Sequence, residues 1–431
     1  MSSGPDGEPS DRPGGSLRRL LPDTRPLAVP AYRRLFISQA IAVVGSGITN
    51  VAVQQQIFDI TGDSAWVGIA SVVALVPLIA FGLWGGAIAD TYDRRTLLLI
   101  TSTGMAVTSL ALWLLAIIGE TGGESVWVVM GLLAAQQGFF AVNQPARAAI
   151  IPRIVPPEQI AAANALGMSV FSLGVIVGPL LVGVLIPIIG VPWLYFVDAV
   201  TLTGVLYAVF RLPKIPPLRT ASGRATISEG LRYLSVKPVL LMTFVVDIIA
   251  MVCGMPRALF PQMAEQTFGD PPGGGPVLGL LNASLAIGAL LGGLTSGWVH
   301  RIHRQGVAIV AAIVVFGFAM VAFGTTSVLV LAVIYLAIGG WSDLVSAVYR
   351  STILQVAATD EMRGRMQGVF TVVVAGGPRL ADLAHGLVAS ATSTTVATAG
   401  GGVLCVLLVL LAGWLGRSTL LRYDSRRPMD V

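Results

Sequence analysis

The chain has 431 residues, of which 55% are hydrophobic and only 11% are charged. So few polar side chains cannot coat a soluble globule of this length, and a membrane protein is predicted. The net charge of +5 at pH 7 comes from basic residues in loops between apolar runs rather than from one basic face, so no nucleic-acid partner is expected.

Apolar runs dominate the chain from its first forty residues onward. A hydrocarbon core of about 30 Å needs roughly 20 apolar residues as helix, because lipid cannot satisfy open backbone groups. Twelve runs meet this length, which predicts twelve transmembrane helices in a lipid bilayer. They lie at 35–58, 65–89, 97–119, 125–146, 160–188, 192–210, 238–264, 276–299, 306–324, 328–349, 366–391 and 395–416.

Lysine and arginine positions predict the orientation, because positively charged loops stay in the cytoplasm. If twelve helices alternate, 25 of the 27 basic residues fall on one side. The two others, Arg257 and Arg379, fall within or beside apolar runs. Both termini are therefore predicted to be cytoplasmic, in a multi-pass protein of the cytoplasmic membrane.

The longest internal hydrophilic stretch divides the chain into two halves of similar length. Residues 31–211 and 238–417 each hold six runs, and residues 212–237 form a predicted cytoplasmic linker. Residues 1–30 and 418–431 are predicted cytoplasmic tails, the first disordered because it is rich in Pro, Gly, Ser and charge. A capping-box spacing from Thr226 to Glu229 predicts a short interfacial helix within the linker.

The two halves also resemble each other, as expected after an internal duplication. Four residues around the start of the fifth run recur 203 positions later at the start of the eleventh. The pairs are Arg147 and Arg350, Glu158 and Glu361, Asn164 and Gln367, and Gly174 and Gly377.

The segment GAIADTYDRR (86–95) lies between the second and third runs. It resembles the G-x-x-x-D-x-x-x-R-R signature of the major facilitator superfamily, with Asp93 where that pattern has glycine. The resemblance implies two six-helix bundles and a cytoplasmic gate formed by Gly86, Asp90, Arg94 and Arg95. The alternative is an ordinary positively charged loop.

The fifth run contains GVIVGPLLVG (174–183), which resembles the antiporter motif of exporters in the same superfamily. Gly174, Gly178, Pro179 and Gly183 would allow close helix packing and a bend, because proline removes a backbone donor. Helix packing without a functional meaning is the alternative.

Several segments resemble the enterobactin-exporter-like group of the superfamily. They include VAVQQQIFDITGDSAWVG in the first run, GALLGGLTSG in the eighth and GGWSDLVSAVYRSTILQ in the tenth. This resemblance implies export of siderophores such as catecholates, with drug and macrolide exporters as near relatives.

Charged residues inside apolar runs are costly and are candidates for function. Asp247 lies near the middle of the seventh run without a basic residue three or four positions away, which suits a proton-coupling site. A structural ion pair with a distant helix is an equal alternative.

Arg379, Asp382 and His385 recur every third residue and share one face of the eleventh run. Arg379 could attract an anionic cargo, and Asp382 and His385 are further proton-coupling candidates. Mutual neutralisation of Arg379 and Asp382 as an i,i+3 pair is the alternative.

Uncharged polar residues in the first and fourth runs could contact cargo. The candidates are Gln54, Gln55, Gln137 and Asn143, with interhelical hydrogen bonding as the alternative. Exporters of the superfamily have an arginine in the fourth helix where this chain has Ala134, so proton coupling must use another group.

The remaining charges in the runs have simpler explanations. Asp343 lies toward the inner end of its run, where gating or helix-end pairing is expected. Arg257 and Asp198 lie near outer ends, where snorkelling or an outer gate explains them.

The sequence shows no nucleotide-binding fingerprint and no cluster of metal-ligand residues, so no cofactor and no metal are expected. The prediction is an all-helical, monomeric secondary transporter that exports a small organic molecule, most specifically a siderophore, in exchange for protons. Multidrug or macrolide efflux is the alternative, and a membrane enzyme or sensor is a remote one.

Overall fold

The computed structural model describes residues 23–119, 123–213, 232–234, 237–357 and 360–424. The regular elements of these residues are helices. The α-helices are α1 (Pro30–Thr61), α2 (Ser64–Thr91), α3 (Arg94–Ile118), α4 (Gly123–Ile154), α5 (Ile160–Phe210), α6 (Pro238–Gly254), α7 (Phe260–Gln266), α8 (Pro276–Leu294), α9 (Gln305–Thr325), α10 (Leu329–Ala357), α11 (Asp360–Ala391) and α12 (Thr394–Leu415).

Ten helical segments of the described chain are long and apolar enough to cross a bilayer, and α6 and α7 together count as one of them. The element α5 has 51 residues and consists of two helices that meet at a kink, because Gly190 leaves helical geometry with φ 77° and ψ 164°. These two helices contain the fifth and sixth predicted runs. The eleventh run, α11, is not among the ten apolar segments. The structure therefore presents ten apolar segments where the sequence predicted twelve separate runs.

Short polar caps define where the helices begin and end. The side chain of Asp63 accepts a hydrogen bond from the Ala65 N–H and caps α2, after Gly62 has ended α1 in the left-handed conformation. Asp93 accepts a hydrogen bond from the Thr96 N–H at 2.9 Å and caps α3. The aspartate that departs from the glycine of the gate motif is therefore the residue that starts the third helix.

The helices pack as two halves, α1–α5 and α6–α12. In the first half α1 packs on α5, α2 on α4, and α3 on both α4 and α5. In the second half α8 packs on α10, and α9 on α10 and α12. The halves meet along α2 against α11 and α5 against α8. The predicted all-helical fold in two bundles is thus confirmed.

Glycines allow the two halves to touch at what we call the closed end, where α2 and α8 begin and α11 ends. A Cβ atom on Gly279 would lie 2.5 Å from the Pro179 carbonyl oxygen and 2.8 Å from Gly183 Cα. A Cβ atom on Gly68 would overlap the Asp382 carbonyl oxygen. Only glycine permits these backbone approaches.

The four residues of the predicted antiporter motif divide between two contacts. A Cβ atom on Gly178 would lie 3.0 Å from Gly47 Cα, so this glycine packs against α1 within its own half. Gly174 also faces α1, through Val43. Gly183 and the Pro179 carbonyl oxygen face α8 of the other half, whereas the Pro179 ring lies beside Gly47 of α1. One motif therefore joins a helix contact within a bundle to a contact between bundles.

The structure corrects the placement of two arginines that the sequence assigned to cytoplasmic loops. Arg147 and Arg350 lie inside α4 and α10 and are 4% and 3% exposed. The helices continue past the apolar runs because each guanidinium finds a polar partner. Arg147 donates to Ser38 Oγ at 2.9 Å, whereas Arg350 pairs with carboxylates.

Other predictions concern residues that lie outside the described part of the chain. Most of the proposed interfacial helix at 226–234 lies beyond the described residues, and only 232–234 are helical within them. The surroundings of Glu361 and Gln367 are also outside the described side chains. The linker and the two tails therefore stay predictions.

Candidate functional site

A cavity of about 420 Å³ lies between the two halves, where α5 of the first half faces α8 and α10 of the second. Most of its lining is apolar, and its two charged residues are Arg257 and Asp343. It extends from Met255 and Arg257 to Gly293 and Leu294 at the end of α8. Its size falls in the range of cavities that bind small organic molecules.

The inner wall of the cavity is formed by a break in a membrane-spanning helix. The helix α6 ends at Gly254, and Met255 leaves helical geometry with φ −112° and ψ 88°. After Pro256, a single 3₁₀ turn at Arg257–Leu259 leads into α7. Discontinuous helices at membrane depth mark binding sites in secondary transporters, because irregular backbone is tolerated there only beside a cavity or within protein. We call this segment, Met255–Leu259, the α6–α7 break.

Asp382 connects the α6–α7 break to both halves. It is 5% exposed on α11, and its Oδ1 accepts a hydrogen bond from the Ala258 N–H at 3.0 Å. Its Oδ2 accepts from the Ser71 hydroxyl on α2 at 2.7 Å. One carboxylate therefore ties a helix of the first half to the break in the second half, beside the cavity.

Arg379 does not form the i,i+3 ion pair with Asp382 that was the alternative to a functional role, since no such contact within 4 Å occurs among the described residues. Its guanidinium instead crosses to the first half and donates to Gln137 Oε1 on α4 at 3.0 Å. It also approaches the Ser71 carbonyl oxygen at 3.4 Å. The reason is that both Asp382 oxygens already accept closer hydrogen bonds. Arg379 and Gln137, two predicted cavity residues, are thereby brought together.

Asp247 forms an ion pair with a residue of a distant helix, which was the alternative to a carboxylate without a partner. Its Oδ1 lies 2.7 Å from Arg350 Nη1 on α10, and Asp343 Oδ1 lies 3.7 Å from Arg350 Nη2. Arg350 Nε has no hydrogen-bond partner among the described residues. We call these three residues the acidic triad, because two carboxylates share one guanidinium. Asp343 is partly exposed and lines the cavity, whereas Asp247 is buried behind it.

His385, the third proton-coupling candidate, lies away from the contact between the halves. It is 4% exposed, and its Nδ1 lies 2.9 Å from the Ala381 carbonyl oxygen of its own helix. A Cβ atom on Gly401 of α12 would lie 2.6 Å from His385 Nε2, so the ring packs against α12. The structure thus places His385 in the interior of the second half.

Three other polar candidates of the first half, Gln54, Gln55 and Asn143, are not among the residues that line the cavity between the halves. Gln55 lies at the closed end, where its Nε2 donates to Asp59 Oδ1 at 2.7 Å and to Glu265 Oε1 of the other half at 2.6 Å. Gln54 Oε1 is buried without a hydrogen-bond partner in the described chain. Asn143 donates to Thr101 Oγ1 at 2.8 Å and lies inside the first half rather than in the central cavity.

Two of the four predicted gate residues can be described. Arg94 donates to the Ala149 carbonyl oxygen at 3.1 Å, and Arg95 donates to the Phe210 carbonyl oxygen at 2.6 Å. Both therefore fasten the α2–α3 junction to neighbouring helix ends of the same half. Gly86 and Asp90 lie in α2, but their surroundings are outside the described part of the structure.

Sequence reasoning missed three buried or cavity-facing charges. Arg257 lines the cavity instead of an outer surface; the signal was the proline before it, which breaks the helix at that depth. Asp198 was expected at an outer end but is 1% exposed, and its Oδ2 accepts from Thr49 and Ser109 at 2.7 and 2.6 Å. Its hydroxyl partners come from other helices, so no local pattern reveals it. Arg350 was assigned to a loop.

Comparison with known proteins identifies a family, relatives of similar sequence and solved structures with the same fold. The family model described as transmembrane secretion effector matches residues 23–426. The chain is 29% identical over 395 residues to the enterobactin exporter EntS of Citrobacter koseri, covering 90% of this chain and 93% of that protein. It is 28% identical over 386 residues to the enterobactin exporter EntS of Escherichia coli O81, covering 89% and 91%.

Solved structures with low sequence identity share the fold. A bacterial homologue of the human lysosomal transporter Spinster, in an inward-facing and unoccupied conformation, superimposes with a TM-score of 0.70 at 15% identity, covering 93% of this chain and 99% of that one. A peptide transporter of the POT family gives a TM-score of 0.72 at 13% identity, covering 91% and 95%. The helices of the two halves are therefore arranged as in secondary transporters.

Removal of Arg350 should destabilise the protein through the acidic triad. We expect Arg350→Met to lower the free energy of unfolding by about 3–5 kcal/mol, because it leaves two carboxylates together without a cation. Adding Asp247→Asn should restore most of this loss. Thermal unfolding of the purified protein in detergent measures both effects.

Arg147, its counterpart 203 positions earlier, supplies the matched control. It has no carboxylate within ion-pair distance among the described residues, so Arg147→Met should cost only its hydrogen bonds, about 1–3 kcal/mol. Asp247→Asn should not restore that loss. Failure of Asp247→Asn to rescue Arg350→Met would contradict the triad.

Proposed function

Because this chain belongs to the transmembrane secretion effector family of the major facilitator superfamily, we propose that it exports a catecholate siderophore across the cytoplasmic membrane in exchange for protons. It is a multi-pass transporter, as the family and the structural relatives are. The observation that carries the cargo assignment is the match to enterobactin exporters over about 90% of both chains.

The conformation of the protein supports export by alternating access. The two halves touch at the closed end through Gly183 and Gly279 and through Ser71 and Asp382. The cavity between α5 and α8 instead reaches the opposite end of α8, at Leu294. The predicted orientation puts that opposite end in the cytoplasm. The structure then corresponds to the state that receives cargo from inside the cell.

The closed end is held by contacts that can be broken and remade. The inter-half hydrogen bonds there include Gln55 to Glu265, Ser64 to Gln262 and Ser390 to Asp63. Each exchanges readily for a hydrogen bond to water, so its net contribution is small, about 0.5–1.5 kcal/mol. Rocking of the bundles about the cavity would open this end without unfolding either half.

The acidic triad supports proton coupling. Two carboxylates and one guanidinium carry a net charge of −1, and a proton on either carboxylate would make the group neutral. Neutralisation of a buried charge is favourable where water is scarce. Asp343 reaches the cavity and Asp247 does not, so a proton entering from the cavity meets Asp343 first. We assign Asp247 and Asp343 jointly as the proton-binding pair.

Deletion of the gene tests the cargo. Under iron limitation, the deleted strain should accumulate siderophore inside the cell and secrete less of it, and the wild-type gene should restore secretion. Liquid chromatography with mass spectrometry of medium and cell extract measures both pools. Normal secretion together with greater sensitivity to antibiotics would reject this cargo and favour drug or macrolide efflux.

Substitution of Asp247 tests the coupling. Asp247→Asn should abolish the uptake of enterobactin from the medium into inverted membrane vesicles with an acidic lumen, which is the direction of export in such vesicles, because one carboxylate of the triad can no longer exchange a proton. Protein level in the membrane should not change, since Asn keeps the size of the side chain. The exposed Glu158→Gln provides a control for loss of a carboxylate. Export by Asp247→Asn at the wild-type rate would remove Asp247 from the mechanism.

A further inference from the structure

We propose that the wall of the cavity at the α6–α7 break is an anion-binding site, and that Arg257 is the residue that contacts the negative charge of the cargo. The proposal rests on the proposed transport function and adds the charge of the transported species and the group that recognises it.

The first observation is the position of Arg257. It follows Pro256 in the irregular segment between α6 and α7, and it lines the cavity with Met255 and Leu285. Among the described residues it makes no hydrogen bond and no ion pair. A guanidinium of this kind, partly exposed to a cavity inside a membrane protein, still has all of its donors to offer.

The second observation is the balance of charge around it. Asp382 lies within electrostatic reach of two cations, Arg257 and Arg379. Its two oxygens already accept from Ser71 and Ala258. The three charges sum to +1, so an additional anion would bring the group to neutrality. The guanidinium of Arg379 is engaged by Gln137, which leaves Arg257 to form the new contact.

The opposite wall of the cavity carries the net charge of −1 of the acidic triad, which the proposed mechanism neutralises with a proton rather than with a cationic cargo. Its carboxylate is Asp343, which already shares Arg350 with Asp247. The described lining between the two walls is mainly apolar, with Phe171, Val175 and Leu285. An anion attached to an aromatic or aliphatic body therefore fits better than a lipophilic cation, because the body is buried against these side chains while its charge meets Arg257.

A structural role for Arg257 makes a different prediction. If the arginine only balanced Asp382 at a distance, its loss would change the stability of the protein but not its preference between charged and uncharged ligands. Charge selectivity is therefore the quantity to measure.

Three probes separate these possibilities by isothermal titration calorimetry of the purified transporter in detergent: salicylate, its uncharged analogue salicylamide, and the cation tetraphenylphosphonium. We expect the wild type to bind salicylate at least about 10-fold more tightly than salicylamide, the size of effect that a charged hydrogen bond gives. Tetraphenylphosphonium should bind more weakly than salicylate.

Substitutions of Arg257 then test whether this residue causes the preference for salicylate over salicylamide. Arg257→Gln should make salicylate and salicylamide bind about equally, whereas Arg257→Lys should keep part of the preference because it keeps the charge. Arg153→Ala removes an exposed arginine at the end of α4 and should change nothing. Size-exclusion chromatography shows whether each variant is folded, and Arg257→Ala is a second uncharged replacement if glutamine prevents folding.

The proposal is overturned if the wild type does not prefer salicylate, if it binds neither aromatic probe, or if Arg257→Gln keeps the full preference. These outcomes are distinguishable from failure of the proposed function. A strain that needs the gene for siderophore secretion, but whose secretion is unchanged by Arg257→Gln, would keep the export function and reject the anion site.

Discussion

The contact on which the site most depends is the carboxylate of Asp382. A charge buried at this depth persists only if nearby groups compensate it, and here the compensation comes from three separate elements. Ser71 belongs to the first half, Ala258 to the α6–α7 break, and Arg379 lies one turn away on the same helix. Compensating one charge therefore joins the two halves, fixes the broken helix and places Arg257 beside the cavity.

Equivalent positions of the two halves have different polar partners. Arg147 and Arg350 occupy equivalent positions after the duplication, yet Arg147 bonds to Ser38 and a backbone carbonyl while Arg350 joins two carboxylates. Because the recorded partners of Arg147 are neutral, its surroundings provide no carboxylate that could bind and release a proton. The first half thus supplies hydrogen-bonding surfaces and close glycine contacts, and the second half holds the broken helix and the charges suited to coupling and cargo binding.

Much of this arrangement could be predicted from the sequence, because hydropathy, loop charge and glycine spacing are local signals. They identified the all-helical fold, the two halves and Asp247 and Asp382 as buried carboxylates. The partners could not be predicted, since Arg350 reaches Asp247 and Arg379 reaches Gln137 across helices that are far apart in the chain. The loop assignment for Arg350 failed because carboxylates brought near it by the fold allow its charge to enter the membrane interior. The outer position for Arg257 failed because the helix breaks before this residue and places it beside the cavity.

Alternating access requires that the end where the cavity reaches Leu294, which we call the open end, closes when the closed end opens. Spin labels at Tyr92 and Val356 would report the open end, and labels at Ile118 and Thr392 the closed end, all four positions being exposed. Electron–electron resonance distances in nanodiscs, measured with and without enterobactin and at neutral and acidic pH, test this requirement directly. We predict that the first distance shortens whenever the second lengthens. Distances that change in the same direction, or at one end alone, would contradict alternating access.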